Sequence, residues 1–410
     1  MKTSKLLIEH QCPQCGAPAT LEETDHLFTC EFCKVKSYLL SRVFRYMLPH
    51  SAPENKELMF FPYWRFKGML FSCVENGIKD KIVDISHQAI DSAYFPVSVG
   101  LRSQTLKLRF VSPETEGRFL KPSRTYNEMI KIIEERYSAS LPGPIFLQSF
   151  IGETLSLLYS PFYADARMHD AVLNRPVSPL LPDDFNSSSF PGGPPNWQIR
   201  FIPAQCPDCG WDLNGERDSL VLDCHNCNSV WQSGKGQFMK LKHARIPDSG
   251  GQVTYLPFWR IKAEVSGLAL DSYADLVRAA NLPKVVQEPW KDMVFHFWSP
   301  AFKVRPQDFL RFSLNLTLSQ PQGKWIPELP EVETYPVTLP IMEAVKGLKL
   351  NIAGFIKPRR TMFSKLQEID IKAKSFILVY IPFNRKGSEL SHPPFRLRIN
   401  KNLLTFARNL

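Results

Sequence analysis

Eight of the nine cysteines in this chain of 410 residues fall into two sets cut to one ruler. Cys12, Cys15, Cys30 and Cys33 read C-P-x-C-G and then C-x-x-C, with 14 residues between the second and third cysteines. Cys206, Cys209, Cys224 and Cys227 repeat that spacing 194 positions further on. Two C-x-x-C pairs at a fixed distance are a ligand set for one tetrahedral metal ion. They constrain the fold before any other feature, because each set must close around a point.

The residues between the cysteines suit this geometry. Pro13 and Pro207 fix φ early in the first turn of each set. Gly16 and Gly210 follow the second sulfur, where a left-handed backbone costs least in glycine. Main-chain N–H groups in such turns can point at the thiolates. A gap of 14 residues suits a β-hairpin that returns the second pair beside the first. Lys34 and Asn228, instead of glycine, follow Cys33 and Cys227, so the second turns read as less ideal.

Each set resembles the zinc ribbons of RNA polymerase subunits, transcription factors and many bacterial proteins. The resemblance covers about 30 residues per copy. It implies two structural Zn²⁺ per chain, bound by all eight cysteines, and says little about activity. Four cysteines close the coordination sphere and leave no position for a reacting water. Rubredoxin-like iron is the competing metal, since four thiolates suit it too. His225, inside a C-x-x-C pair, is read as a solvated loop residue. Disulfides would need an oxidising compartment. Met1 to His10 lacks the apolar core of a signal peptide, so reduced thiols and a cytoplasmic location are expected. Cys73 lies outside both sets, in an apolar run expected to be buried.

The repetition reaches beyond the cysteines. Phe61-Pro62-Tyr63-Trp64-Arg65-Phe66-Lys67 matches Leu256-Pro257-Phe258-Trp259-Arg260-Ile261-Lys262. Tyr94-Phe95-Pro96 with Gln104 and Leu106 loosely matches Trp298-Ser299-Pro300 with Gln307 and Leu310. Tyr159-Ser160-Pro161-Phe162 matches Tyr380-Ile381-Pro382-Phe383. The order is the same in both halves, which reads as an internal duplication. Each proline is expected to open a strand, since it cannot donate to a ladder. After Pro62 and Pro257 the residues alternate, as in half-buried strands. Phe376 to Phe383 and Phe395 to Ile399 frame an expected hairpin.

Helical signals are few: Tyr126 to Tyr137 after a cap at Ser123 or Thr125, Tyr273 to Ala280, Ile341 to Lys346, and a basic C-terminal segment around Leu403. The fold class is therefore mainly β with scattered helices (α+β). The expected organisation is a first ribbon over 8–40, a β-rich unit over 41–173, and a Pro/Ser/Gly-rich linker over 174–204. A second ribbon over 205–233 and a second β-rich unit over 234–410 follow. The linker is expected to be irregular, with Phe185, Phe190 and Trp197 drawing it against the body.

Composition excludes some classes. The most apolar stretch, Ile145 to Tyr163, is broken by Gln148, Ser149, Glu153 and Thr154, so it reads as a core strand and not a membrane span. Formal charge is +10. Eight thiolates and two divalent ions bring it to about +6, a mild excess over so long a chain. No P-loop, H-E-x-x-H, G-x-S-x-G or deaminase pattern occurs, and the histidines are scattered. The expectation is a non-enzymatic adaptor that binds proteins, with no small-molecule substrate. Nucleic-acid binding is the alternative, through Lys357 to Arg360, Lys365, Lys372, Lys374, Arg396, Arg398, Lys401 and Arg408.

Overall fold

The computed structural model describes residues 6–41, 43–100, 106–248, 250–323 and 325–408. Strands predominate over helices, as expected for a mainly β chain. Two units can be separated. Unit one takes Met1–Lys67, Val83–Tyr137 and Thr154–Ala204; unit two takes Gly68–Ile82, Ser138–Glu153 and Gln205–Leu410.

Unit one is organised by residues 59–67 of the strand Met59–Val74 and residues 154–164 of the strand Ile145–Ala164, which are neighbours in one sheet. Phe44–Met47 runs parallel to the second of them, with Tyr46 opposite Leu158. Phe61, Tyr63, Leu158 and Phe162 lie in its core. The alternation after Pro62 led to the expectation of one wet face. Arg65 and Lys67 are instead only 3% and 4% exposed. Arg65 is kept there by two carboxylates, Glu23 and Asp84. The helix Tyr126–Ser138 buries Met129 and Ile133. Its cap is Thr125, not Ser123: the Glu128 amide donates to the Thr125 hydroxyl, and the Thr125 amide donates back to the Glu128 carboxylate.

Unit two is built on the antiparallel pair Val253–Ser266 and Asp370–Lys386, with Phe297–Pro300 on the far side of the first. His243–Arg245 runs parallel to the second, Ala244 opposite Val379. The hairpin expected near Gly387 is a three-strand meander, because Glu389–His392 pairs onward with Leu397–Asn400. Helices form at Tyr273–Ala279, Ile341–Lys346 and Lys401–Ala407, where the sequence signals lie. The longest helix of this unit, Pro306–Ser319, was not anticipated. Pro306 in its first turn and the buried Phe309, Phe312, Ser313 and Leu316 at helical spacing are its signals in the sequence.

The prolines sit inside long strands and do not open them. The Pro62 carbonyl accepts from Ala89, one residue past the strand Gly77–Gln88. The Pro257 carbonyl accepts from Ala301, one residue past Phe297–Pro300. The Pro161 carbonyl accepts from Ala171, one residue past Arg167–Asp170. Pro62, Pro161 and Pro257 therefore occupy positions where a neighbour's ladder ends, and no donor is missed there. Trp298-Ser299-Pro300 is strand, whereas Tyr94-Phe95-Pro96 is not, and Gln104 lies outside the described residues.

Residues 174–204 are more ordered than their prolines suggested. Arg175–Leu180 pairs with Arg167–Asp170, and Arg200–Pro203 pairs with Lys36–Leu40. Phe185, Phe190 and Trp197 pack against the unit-one core.

Candidate metal centres

In unit one, Leu7–Gln11 and Pro18–Glu22 pair antiparallel up to Gln11 and Pro18, so the turn between them holds Cys12 and Cys15. Leu27–Thr29 and Lys36–Leu40 do the same for Cys30 and Cys33. In unit two, the bridge between Gln205 and Asp212 frames Cys206 and Cys209, and the pair Cys224 with Ser229 closes the second turn. The first turns bond alike. The Gly16 amide donates to the Cys12 carbonyl at 2.9 Å, and that of Gly210 to Cys206 at 2.8 Å. Their φ angles are +74° and +73°. Lys34 and Asn228 take the same left-handed turn, at +61° and +58°, so the second turns form without glycine.

Each turn pair brings four sulfurs together. Within each set all four Sγ atoms lie within 4.8 Å of one another. Cys12 and Cys33 are 3.8 Å apart, and Cys15 and Cys30 3.7 Å. Cys206 and Cys227, and Cys209 and Cys224, are 3.5 Å apart. A disulfide needs about 2.05 Å. A tetrahedral ion with metal–sulfur bonds of about 2.3 Å separates its sulfurs by about 3.8 Å. The observed spacing fits the second case, and each set can hold one metal ion. Among the described residues no other group of three or more His, Cys, Asp or Glu has such geometry. Burial runs in the same order in both sets: the first and third cysteines are buried and the second is exposed.

The surroundings favour thiolate in part. The main-chain N–H groups of Cys33 and Phe32 bring Cys30 down to about 6. Burial pushes Cys206 up, but the Cys209 and Asp208 amides and the Ser229 hydroxyl outweigh it and bring the thiol to about 6. Burial and the crowding of Cys209, Cys227 and Cys206 push Cys224 up to about 12. Four sulfurs this close do not all ionise unless a cation neutralises them.

Sequence reading missed the supporting residues. The Trp231 indole N–H donates to the Ser229 hydroxyl at 2.8 Å, which leaves the hydroxyl hydrogen for the Cys227 sulfur 3.0 Å away. The Asn226 side chain acts first in lowering Cys209. Lys240 is held by Asp208 and adds positive charge near Cys206 and Cys227. His225 is exposed and outside the set. Cys73 is fully buried, outside both sets, and its thiol is pushed up to about 12 by that burial.

Four of the ten basic residues singled out for nucleic acid pair with acids. Lys374 pairs with Glu264, Arg398 with Glu389, Lys401 with Glu333, and Arg408 with Asp218. No helix among the described residues is long and apolar enough to cross a membrane. No family model matches the chain, and neither curated proteins nor solved structures give a significant match.

Proposed function

We propose that this chain is a non-catalytic cytoplasmic adaptor that carries two structural zinc ions and binds other macromolecules, proteins first. The observation that carries the reading is the pair of four-sulfur sets at tetrahedral spacing. A sphere of four thiolates has no open position for a substrate, so the metal's part is to fold a ribbon. Iron fits the same ligands. Element-resolved mass measurement of the native protein decides between the two metals.

We also read the chain as two copies of one unit. What supports this is matched bonding at matched motifs. Pro62 and Pro257 accept from Ala89 and Ala301, and Tyr159 and Tyr380 accept from the amides of Leu48 and Ile246. Two similar units can engage a repeated or dimeric partner with avidity, if both can reach it. The acids that occupy Lys374, Arg398, Lys401 and Arg408 weigh against those four as phosphate contacts. Affinity capture at rising salt, analysed for protein and for nucleic acid, tests this. A protein retained at high salt supports the adaptor. Nucleic acid released as salt rises supports the alternative, because phosphate contacts are screened. Turnover of a small molecule, lost on a point change that leaves metal and fold intact, would overturn both.

A further inference from the structure

Arg260 in unit two is a half-buried arginine with no acid partner among the described residues. It lies on Val253–Ser266, opposite Trp298 on one side and Ile377 on the other. Its guanidinium stacks 4.6 Å over the Trp325 ring. Among the described residues no carboxylate or carbonyl accepts from it, and burial alone brings it down to about 10. The next residue on the same face is the exposed Lys262, also without an acid partner among the described residues. His296 stands close enough to feel both charges: burial first, then Arg260, brings it down to about 4, with Lys262 acting in the same direction. Trp298, 1% exposed, has an indole N–H without an acceptor, and its ring meets that of Trp325 edge-on at 6.0 Å.

Desolvating a guanidinium without an acceptor is costly. Other half-buried arginines in this chain avoid that cost: Arg408 is held by Asp218, Arg124 by Asp91, and Arg118 donates to the Ser187 carbonyl. At Arg260 the guanidinium lies over the Trp325 ring, and among the described residues no acceptor takes its N–H donors. That is the arrangement for bidentate recognition of an oxyanion. The backbone beneath is fixed as well. The Gln320 side chain accepts from the His296 amide at 3.1 Å and donates to its carbonyl at 2.6 Å.

We propose that Arg260, Lys262 and Trp325 form a binding site for a single phosphate monoester carried on a peptide, a phosphorylated segment of a protein partner. Two cations match one dianion. Two residues on, the strand turns acidic at the exposed Glu264, which takes up Lys374 and faces Lys372 on the neighbouring strand, so one acid interrupts the cations beyond Lys262. A polynucleotide needs a run of cations, whereas a phosphopeptide needs one point. The adaptor reading enters only in assigning the phosphate to a protein.

Calorimetric titration of the full-length, metal-loaded protein with O-phosphoserine, inorganic phosphate and a dT oligomer tests the site. Phosphoserine should saturate one site per chain. Arg260→Gln and Lys262→Ala should each weaken it by about tenfold or more, the loss expected for a charged hydrogen-bonded contact. Lys386→Ala, an exposed change elsewhere in unit two, should not. If Arg260→Gln unfolds the protein, the exposed Lys262 still decides. No saturable binding of phosphoserine, or binding unchanged in Lys262→Ala, overturns the proposal. Inorganic phosphate binding as tightly as phosphoserine overturns the peptide assignment, and so does tighter binding of the oligomer through Arg260 and Lys262. Phosphoserine bound in the absence of any captured protein upholds the site and counts against the adaptor alone.

Discussion

Trp259 donates its indole N–H to the main-chain carbonyl of Leu339, 2.9 Å away and two residues before the helix Ile341–Lys346. Trp64 makes the same bond to the carbonyl of Arg124, at 2.8 Å and two residues before the helix Tyr126–Ser138. Each tryptophan ties a central strand to the approach of a helix. They differ in burial. Trp259 is fully buried, and Trp64 is half-buried against the edge of Tyr126.

This difference sets an expected order of stability losses. Trp259→Ala should cost about 3–5 kcal/mol, as for other buried aromatics. Trp259→Phe keeps most of the apolar contact but leaves the Leu339 carbonyl without its donor, at about 1–3 kcal/mol. Trp64→Ala should cost less than Trp259→Ala. Urea unfolding of the three variants checks the order, and equal costs for the two alanine variants would contradict it.

Arg65 and Glu23 form a second test. The Arg65 Nε donates to Glu23 at 2.7 Å, and Asp84 lies 2.7 Å from another guanidinium nitrogen. Burial opposes the charge on Arg65, but the two carboxylates win and hold it more firmly protonated than usual. Glu23→Ala leaves a buried cation short of one partner and should cost about 3–5 kcal/mol. Arg65→Met should cost a similar amount, and the double variant less than the sum. Additive losses would mean that the pair is not coupled.

The sulfur sets were legible because ligand spacing is local: a C-x-x-C turn brings its own two sulfurs together, and only one hairpin is needed for the rest. The helix after Thr125 was legible for the same reason, through its cap and its periodic Met129 and Ile133. What the sequence hid depends on distant partners. Arg65 looked solvated because Glu23 and Asp84, which make its burial affordable, lie 42 and 19 positions away. Pro62 looked like a strand start because the end of the neighbouring strand at Gln88 cannot be seen from Pro62 itself. Ser229 had no mark in the sequence, since its role comes from the cross-strand pairing with Cys224 and the indole of Trp231.

Acid should loosen the fold before most carboxylates titrate. His10, His87, His243, His296 and His392 all have lowered pKa values, with burial the first cause in each. A histidine whose native pKa is depressed contributes stability that is complete above its unfolded value, about 6.5, and is lost as pH falls towards the native value. For His296, brought to about 4, the window is pH 6.5 to 4. Its share is at most about 3 kcal/mol, reduced by its partial exposure. Protonation of metal thiolates acts in the same direction. The informative measurement is therefore a comparison: melting temperature against pH should fall less steeply in His296→Gln than in the parent. Parallel curves would remove His296 from the account.

Cys73 should react slowly with a thiol reagent in the native, metal-loaded protein. It is fully buried, and burial keeps it protonated, so the reactive thiolate is scarce. Labelling should become fast only in denaturant. Fast native labelling, mapped to Cys73 by peptide mass, would contradict the burial.

The two metal sets should load and unload independently. Native protein prepared without chelator should carry two ions, and Cys12→Ser and Cys206→Ser should each lose one, counted by native mass measurement. Loss of both from a single change would mean that the ribbons fold as one. Ser229→Ala gives a finer test. Ser229 links the Trp231 indole to the Cys227 sulfur, so its removal should weaken metal affinity in the second set by roughly 10–100-fold, the range for outer-shell changes. The first set should keep its affinity in a chelator competition. If Ser229→Ala leaves both affinities unchanged, the hydroxyl does not support the thiolate, and the low pKa of Cys206 rests on the Cys209 and Asp208 amides and on Cys227.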